Sequence, residues 1–223
     1  MFYQLGASID PKIIGKSELP LTVEIKNKVF SEQSKEYTLN INKYFEEFSN
    51  LYSNFPKELI GKMYQRKRKP IDLMNSMPYY PTLRYIISKK VKDIFKGLTI
   101  AKTEYHLEKL EIEGCDEDFY FLFIPLLRSS EYVDFDKTVY YDSLNEKYEV
   151  FGSYEKYEVE KKNRRLRAKT LYLKKELEVR DIISVQAGGP FYSERIIDAF
   201  QKENVVGYEI ITGGDFKVDL HFS

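Results

Sequence analysis

Ser88-Lys89-Lys90-Val91-Lys92-Asp93-Ile94-Phe95-Lys96 and Ser193-Glu194-Arg195-Ile196-Ile197-Asp198-Ala199-Phe200-Gln201 are two copies of one pattern, 105 positions apart. In each copy a serine stands where a helix would begin and can cap it by accepting a hydrogen bond from a first-turn amide. Val91, Ile94, Phe95 and Leu98 in the first copy, and Ile196, Ala199 and Phe200 in the second, recur at three- and four-residue spacing. That spacing marks one buried helical stripe. Strand-like apolar runs flank both helices: Leu83 to Ile87 and Thr103 to Ile112 around the first, Asp181 to Val185 and Gly207 to Ile211 around the second. Gly188-Gly189-Pro190 reads as a turn leading into the second helix. The chain is thus organised by two β-α-β units whose stripes are core, so the repeat predicts architecture rather than chemistry.

Working outward, Phe2 to Leu5, Leu19 to Ile25 and Leu59 to Tyr64 read as further strands, and Ile41 to Phe55 as a helix ended by Pro56. Phe119-Tyr120-Phe121-Leu122-Phe123-Ile124 is apolar at every position, which suits a strand buried on both faces at the centre of a sheet. The expected fold class is α+β: two β-α-β repeat units plus additional strands in a mixed or mostly antiparallel sheet, with few helices. All 223 residues fit one domain, divisible into an N-terminal part of about 1–80 and a repeat-containing part of 81–223.

Thirty-five basic and thirty-five acidic side chains cancel, so no overall field draws the chain to nucleic acid or to an anionic membrane. The single Cys115 lies beside Asp116-Glu117-Asp118, whose charge disfavours a thiolate, and it has no internal disulfide partner. With no signal-like start and no apolar run long enough to cross a bilayer, a cytoplasmic location is expected. Two histidines, His106 and His221, and one cysteine do not make a structural zinc site, and no glycine spacing matches a phosphate loop. His106 falls in an alternating stretch with Glu104 and Glu108 that places it on an exposed face. No catalytic residue, metal ligand or cofactor is therefore expected.

Charge is distributed unevenly along the chain. Residues Glu131 to Glu160 carry nine acids, three bases and six tyrosines, and Lys161, Lys162, Arg164, Arg165, Arg167 and Lys169 follow as a basic block. That block and Arg66 to Lys69 read as solvated loops rather than nucleic-acid contacts. Tyrosine offers contact area with few rotatable bonds and carboxylates steer a basic partner, so the acidic stretch is the candidate protein-binding surface. Its proposed contacts are Glu131, Tyr132, Tyr140, Tyr141, Glu146, Tyr148, Glu149, Tyr154, Glu155, Tyr157 and Glu158. The same pattern also suits a strand with tyrosines in the core and acids outside.

Several segments resemble a bacterial polymorphic-toxin immunity protein family first described as a domain of unknown function. They are Met1-Phe2-Tyr3-Gln4-Leu5 with Asp10-Pro11 and Ile14-Gly15-Lys16; Ile87 to Phe95; Asp118 to Phe123 leading into Val133-Asp134-Phe135-Asp136-Lys137; and Pro190 to Phe200 followed by Gly207-Tyr208-Glu209. The resemblance implies a cytoplasmic, non-enzymatic protein that neutralises one cognate toxin by binding it; the charge balance and the lack of a long apolar run leave neither membrane nor nucleic acid as an expected partner. It brings no catalytic residues. A small enzyme of another type and a nucleic-acid-associated regulator are the alternatives.

Overall fold

The computed structural model describes all residues except 16, 48–50 and 66, and the protein is α+β. The order along the first half is β1 (Phe2–Ala7), α1 (Pro11–Ile14), β2 (Thr22–Ile25), α2 (Lys28–Leu39), α3 (Ile41–Glu47), β3 (Ile60–Met63), β4 (Leu73–Met77), β5 (Leu83–Ser88), α4 (Lys89–Gly97), β6 (His106–Ile112) and β7 (Phe119–Phe123). Then come α5 (Ser129–Tyr132), β8 (Val139–Asp142), β9 (Lys147–Glu149), α6 (Tyr154–Glu160), β10 (Leu166–Leu173), β11 (Ile182–Val185), β12 (Gly188–Ser193), α7 (Glu194–Lys202), β13 (Tyr208–Ile210) and β14 (Asp219–Phe222). Two compact units form, and neither is continuous in sequence: one is Met1–Gly6, Pro125–Ile197 and Ile210–Ser223, the other Ala7–Ile124 and Asp198–Glu209. The chain does not divide near residue 80. Among the described residues no helix is long and apolar enough to cross a membrane.

The unit built on Ala7–Ile124 is a closed barrel in the order β2-β3-β6-β7-β5-β4. Every residue of β7 is buried, and the strand pairs antiparallel with β5 (Ile86↔Phe121) and β6 (Glu108↔Phe121), the central position its composition calls for. An aromatic cluster fills the core, with Phe30, Phe55, Tyr80, Phe121 and Phe123 in ring contact at 5.0–5.9 Å. Helix α2, which has no clear stripe, is capped by Asn27, whose side chain accepts from the Phe30 amide at 3.0 Å. Only Phe30, Ser34 and Tyr37 of that helix are buried. The helix expected over 41–55 is α3 only as far as Glu47. Phe48, with its two neighbours, lies outside the described residues, and Leu51 and Phe55 are buried from turns.

The other unit holds two sheets, β11-β12-β1 and β14-β10-β8-β9, with the Ile211 amide donating to the Gln4 carbonyl at 3.0 Å beside β1. Between them lies a core of Phe135, Tyr140, Phe151, Tyr157, Leu171 and Phe191 among others.

The repeat is real, and larger than the sequence pattern. Each helix follows two antiparallel strands, β4–β5 before α4 and β11–β12 before α7, so the unit is β-β-α-β. Gly188-Gly189-Pro190 is the start of β12, not a turn. Ser88 stands at the N-cap position of α4, but its hydroxyl caps nothing. It donates to Asp72 at 2.7 Å, the Ser88 amide bonds the Asp72 carbonyl at 3.0 Å, and Lys90 reaches the other carboxylate oxygen at 2.7 Å. In the second copy Ser193 donates to Asp181 at 2.7 Å, its amide bonds the Asp181 carbonyl at 2.7 Å, and Arg195 forks onto the same carboxylate. The serine therefore ties the helix start to the first strand of its own unit. Both helices end alike, with Thr99 and Asn204 at positive φ and the Ile100 and Val205 amides returning to the Phe95 and Phe200 carbonyls. The equivalent rings Phe95 and Phe200 stack with centroids 6.0 Å apart and planes 1° from parallel.

Candidate functional site

The acidic, tyrosine-rich stretch divides among three environments. Tyr140 and Tyr157 are core: they stack at 4.6 Å and expose 1% and 9% of their surface. Burial pushes the Tyr157 hydroxyl up to about 12. Both are removed from the candidate contact surface, because alternation along β8 turns Tyr140 inward and the buried face of α6 carries Tyr157. Tyr141 and Tyr148 face each other across β8 and β9 on the opposite, open side, with centroids 5.1 Å apart. Tyr132 and Tyr154 are half-buried against the core edge.

The carboxylates divide as well. Arg164 is the hub: it bonds Asp142 at 2.6 Å, Glu149 at 2.5 Å and Glu160 at 3.0 Å, and its guanidinium lies 5.5 Å from the Phe151 ring. Its side chain is 11% exposed and that of Asp142 fully buried. Hydrogen bonds from Asn145 and from Arg164 hold the Asp142 carboxyl far below the usual range, and Arg164 likewise lowers Glu149. One side chain of the basic block thus fastens β8, β9 and α6 together and neutralises acids that sequence alone leaves free. Glu158 pairs with Lys161, and Glu131 lies 3.8 Å from Arg128. Glu146, at positive φ in the β8–β9 turn, and Glu155 on α6 project to solvent.

Beside this clamp the segment after β9 and helix α6 enclose a shallow groove of about 490 Å³, lined by Glu149, Val150, Phe151, Glu155, Val159 and Glu160 with Lys156. Val150 and Val159 are 46% and 62% exposed, and on the neighbouring hairpin Leu144 and Tyr148 are 57% and 67% exposed. An aliphatic strip set among carboxylates on a braced platform suits contact with a basic, partly apolar protein surface. Val150, Val159 and Leu144 escape sequence reasoning because β-branched and leucine residues in a folded segment read as core; only their place outside the alternation sets them apart.

The remaining candidates fall elsewhere. His106 is not on an open face: its ring stacks on Tyr52 at 4.0 Å, and its Nε2 lies 2.7 Å from a Glu108 oxygen that Lys57 also bonds at 2.6 Å. Cys115 is half-buried. Among the described residues no three His, Cys, Asp or Glu side chains gather so as to hold a metal ion. Of the basic runs, Arg66 lies outside the described residues, while Arg167 and Lys169 are on strand β10 rather than in a loop. No protein-family model matches the chain, and no curated protein matches its sequence.

Proposed function

We propose that the protein is an immunity-type inhibitor that binds a cognate bacterial toxin and blocks it stoichiometrically. The observation that carries the reading is the groove beside α6, where Val150 and Val159 stand exposed among Glu149, Glu155 and Glu160 on a base braced by Arg164. Preorganisation of that kind lowers the ordering cost of association, and the surrounding carboxylates favour a basic partner. The resemblance of the segments around Ser88 and Ser193 to an immunity family agrees with the same role.

The test is co-expression with whichever protein the neighbouring gene encodes, first shown to be toxic alone, scoring survival and then co-purification. Rescue with a stable complex is expected. Val159→Asp, or Glu146→Lys with Glu155→Lys, should weaken the complex at least about tenfold and abolish protection. Rescue that persists unchanged in both variants would remove the groove from the interface, and rescue without any complex would overturn inhibition by binding.

A further inference from the structure

Strand β9 is the last member of the sheet β14-β10-β8-β9 and pairs only with β8. Opposed residues of an antiparallel pair alternate between exchanging hydrogen bonds and turning them outward, so the register fixes which groups of β9 are left over. The Ser143 amide donates to the Arg165 carbonyl at 3.1 Å, which turns the main chain of Tyr141 toward Arg167 on β10 and leaves Asp142 and Tyr140 to bond Lys147 and Glu149. Tyr148, between those two, therefore directs its N–H and C=O away from β8. Val150 continues the same alternation, and among the described residues its amide and carbonyl have no hydrogen-bond partner. Across from this edge, Glu155, Val159 and Glu160 of α6 form the other wall of the groove that Glu149 and Val150 line.

We propose, resting on the inhibitor reading above, that the bound toxin supplies an extended, basic segment that pairs with this edge and extends the four-stranded sheet by one strand. Outward main-chain groups on Tyr148 and Val150 stand at the two-residue spacing that strand addition uses. Sheet edges are ordinarily covered, but here Tyr148 and Val150 are 67% and 46% exposed. The added strand lies beside α6, where an apolar side chain of the partner meets Val159. Charge selects the rest of its sequence. Arg164 holds Glu149 and Glu160, and Lys147 also reaches Glu149 at 3.3 Å. Glu146, which precedes the strand, and Glu155, which lines the groove, have no ion pair among the described residues, and Lys156 offsets one of them. A Lys or Arg on the incoming segment neutralises the remainder. A second copy of this chain is the less favoured occupant, because joining two such edges adds the same excess of acid from both sides.

Amide hydrogen exchange followed by NMR tests the proposal, in the free chain and in its complex with the protein that the neighbouring gene encodes. The Tyr148 and Val150 amides should exchange freely in the free chain and slow at least about tenfold in the complex. Val150→Pro removes one edge donor while keeping apolar bulk, so it should weaken the complex about tenfold, whereas Val150→Ile should bind like the parent. Unfolding midpoints equal to that of the parent certify both variants; should the proline variant not fold, the exchange comparison decides alone. A complex in which both amides still exchange freely would overturn strand addition and leave inhibition through side-chain contacts standing, and failure to form any complex would overturn both. Protection of the two amides in the free chain would show the edge already covered. A dimer of the free chain in sedimentation, lost in Val150→Pro, would give the edge to a second copy; either result overturns the proposal.

Discussion

Gly61 and Gly207 show how one absent methyl group can be required for two different reasons. A Cβ on Gly61 would stand 2.4 Å from Val23 Cγ1 and 3.1 Å from Ile25 Cδ1, inside the barrel where β3 crosses β2. Those contacts are with side chains, so Gly61→Ala should cost about 1–3 kcal/mol in urea unfolding, as overpacking does. Adding Val23→Ala should return part of that loss. At Gly207, φ is 107° and a Cβ would lie 2.2 Å from the Leu73 carbonyl oxygen. Neither the backbone conformation nor the neighbouring backbone can yield, so Gly207→Ala should cost about 3 kcal/mol or more, and no single side-chain truncation should rescue it. Equal stabilities for the two variants would refute the distinction.

At the scale of elements, the aspartate–serine–cation ties replace the caps that the sequence suggests. Hydrogen bonds from Arg195, and after it Ser193, hold the Asp181 carboxyl below the usual range. An unfolded aspartate titrates near 3.9, so the stabilisation is complete above about pH 4 and is lost as pH falls through the lower folded value. Asp181→Asn should therefore cost about 1 kcal/mol at neutral pH, a modest figure because Arg195 is half exposed and screened by solvent. The difference from the parent should shrink as pH falls through the lowered folded value; a constant offset across the acid limb would show that packing, not charge, carries the effect. Arg164→Met should separate α6 from the β8–β9 hairpin. It should lower Tm by on the order of 5 °C and expose the groove's acids, with Phe151 and Tyr157 losing proteolytic protection first.

Local pattern specifies burial in this chain more fully than it specifies backbone or long-range partners. Val91, Phe95, Ile196 and Phe200 repeat at helical spacing and are buried because periodicity reports burial directly. The serine's partner lies 16 residues earlier in one copy and 12 in the other, a separation no local rule encodes. Leu51 and Phe55 keep helical spacing and are buried without a helix, since burial fixes which residues face inward but not the backbone that brings them there. For the candidate site, six tyrosines signalled contact, yet alternation along β8 alone separates buried Tyr140 from outward Tyr141. Two of the three ion pairs of Arg164 span 15 and 22 residues and could be found only in the folded chain.

For the molecule as a whole, the interleaving of the two units has a consequence for dissection. A cut near residue 80 leaves β2, β3 and β4 on one fragment while β5, β6 and β7 go with the other, opening the barrel at β3–β6 and β4–β5 together. It also parts Phe30, Phe55 and Tyr80 from Phe121 and Phe123, the rings against which they pack. The larger fragment loses β1 as well, exposing the edge of β12 where Phe2 pairs with Ser193. Each fragment then carries an apolar surface that it has no means of burying, and open strand edges beside it favour association. Fragments 1–80 and 81–223 should each lack a cooperative thermal transition when expressed alone, and co-expression should restore one through a stable two-chain complex. Far-ultraviolet circular dichroism during heating decides the matter: a sharp transition in 1–80 by itself would mean that the three-stranded β3-β2-β4 segment with α2 folds independently, and that closure of the barrel follows rather than specifies that half of the fold.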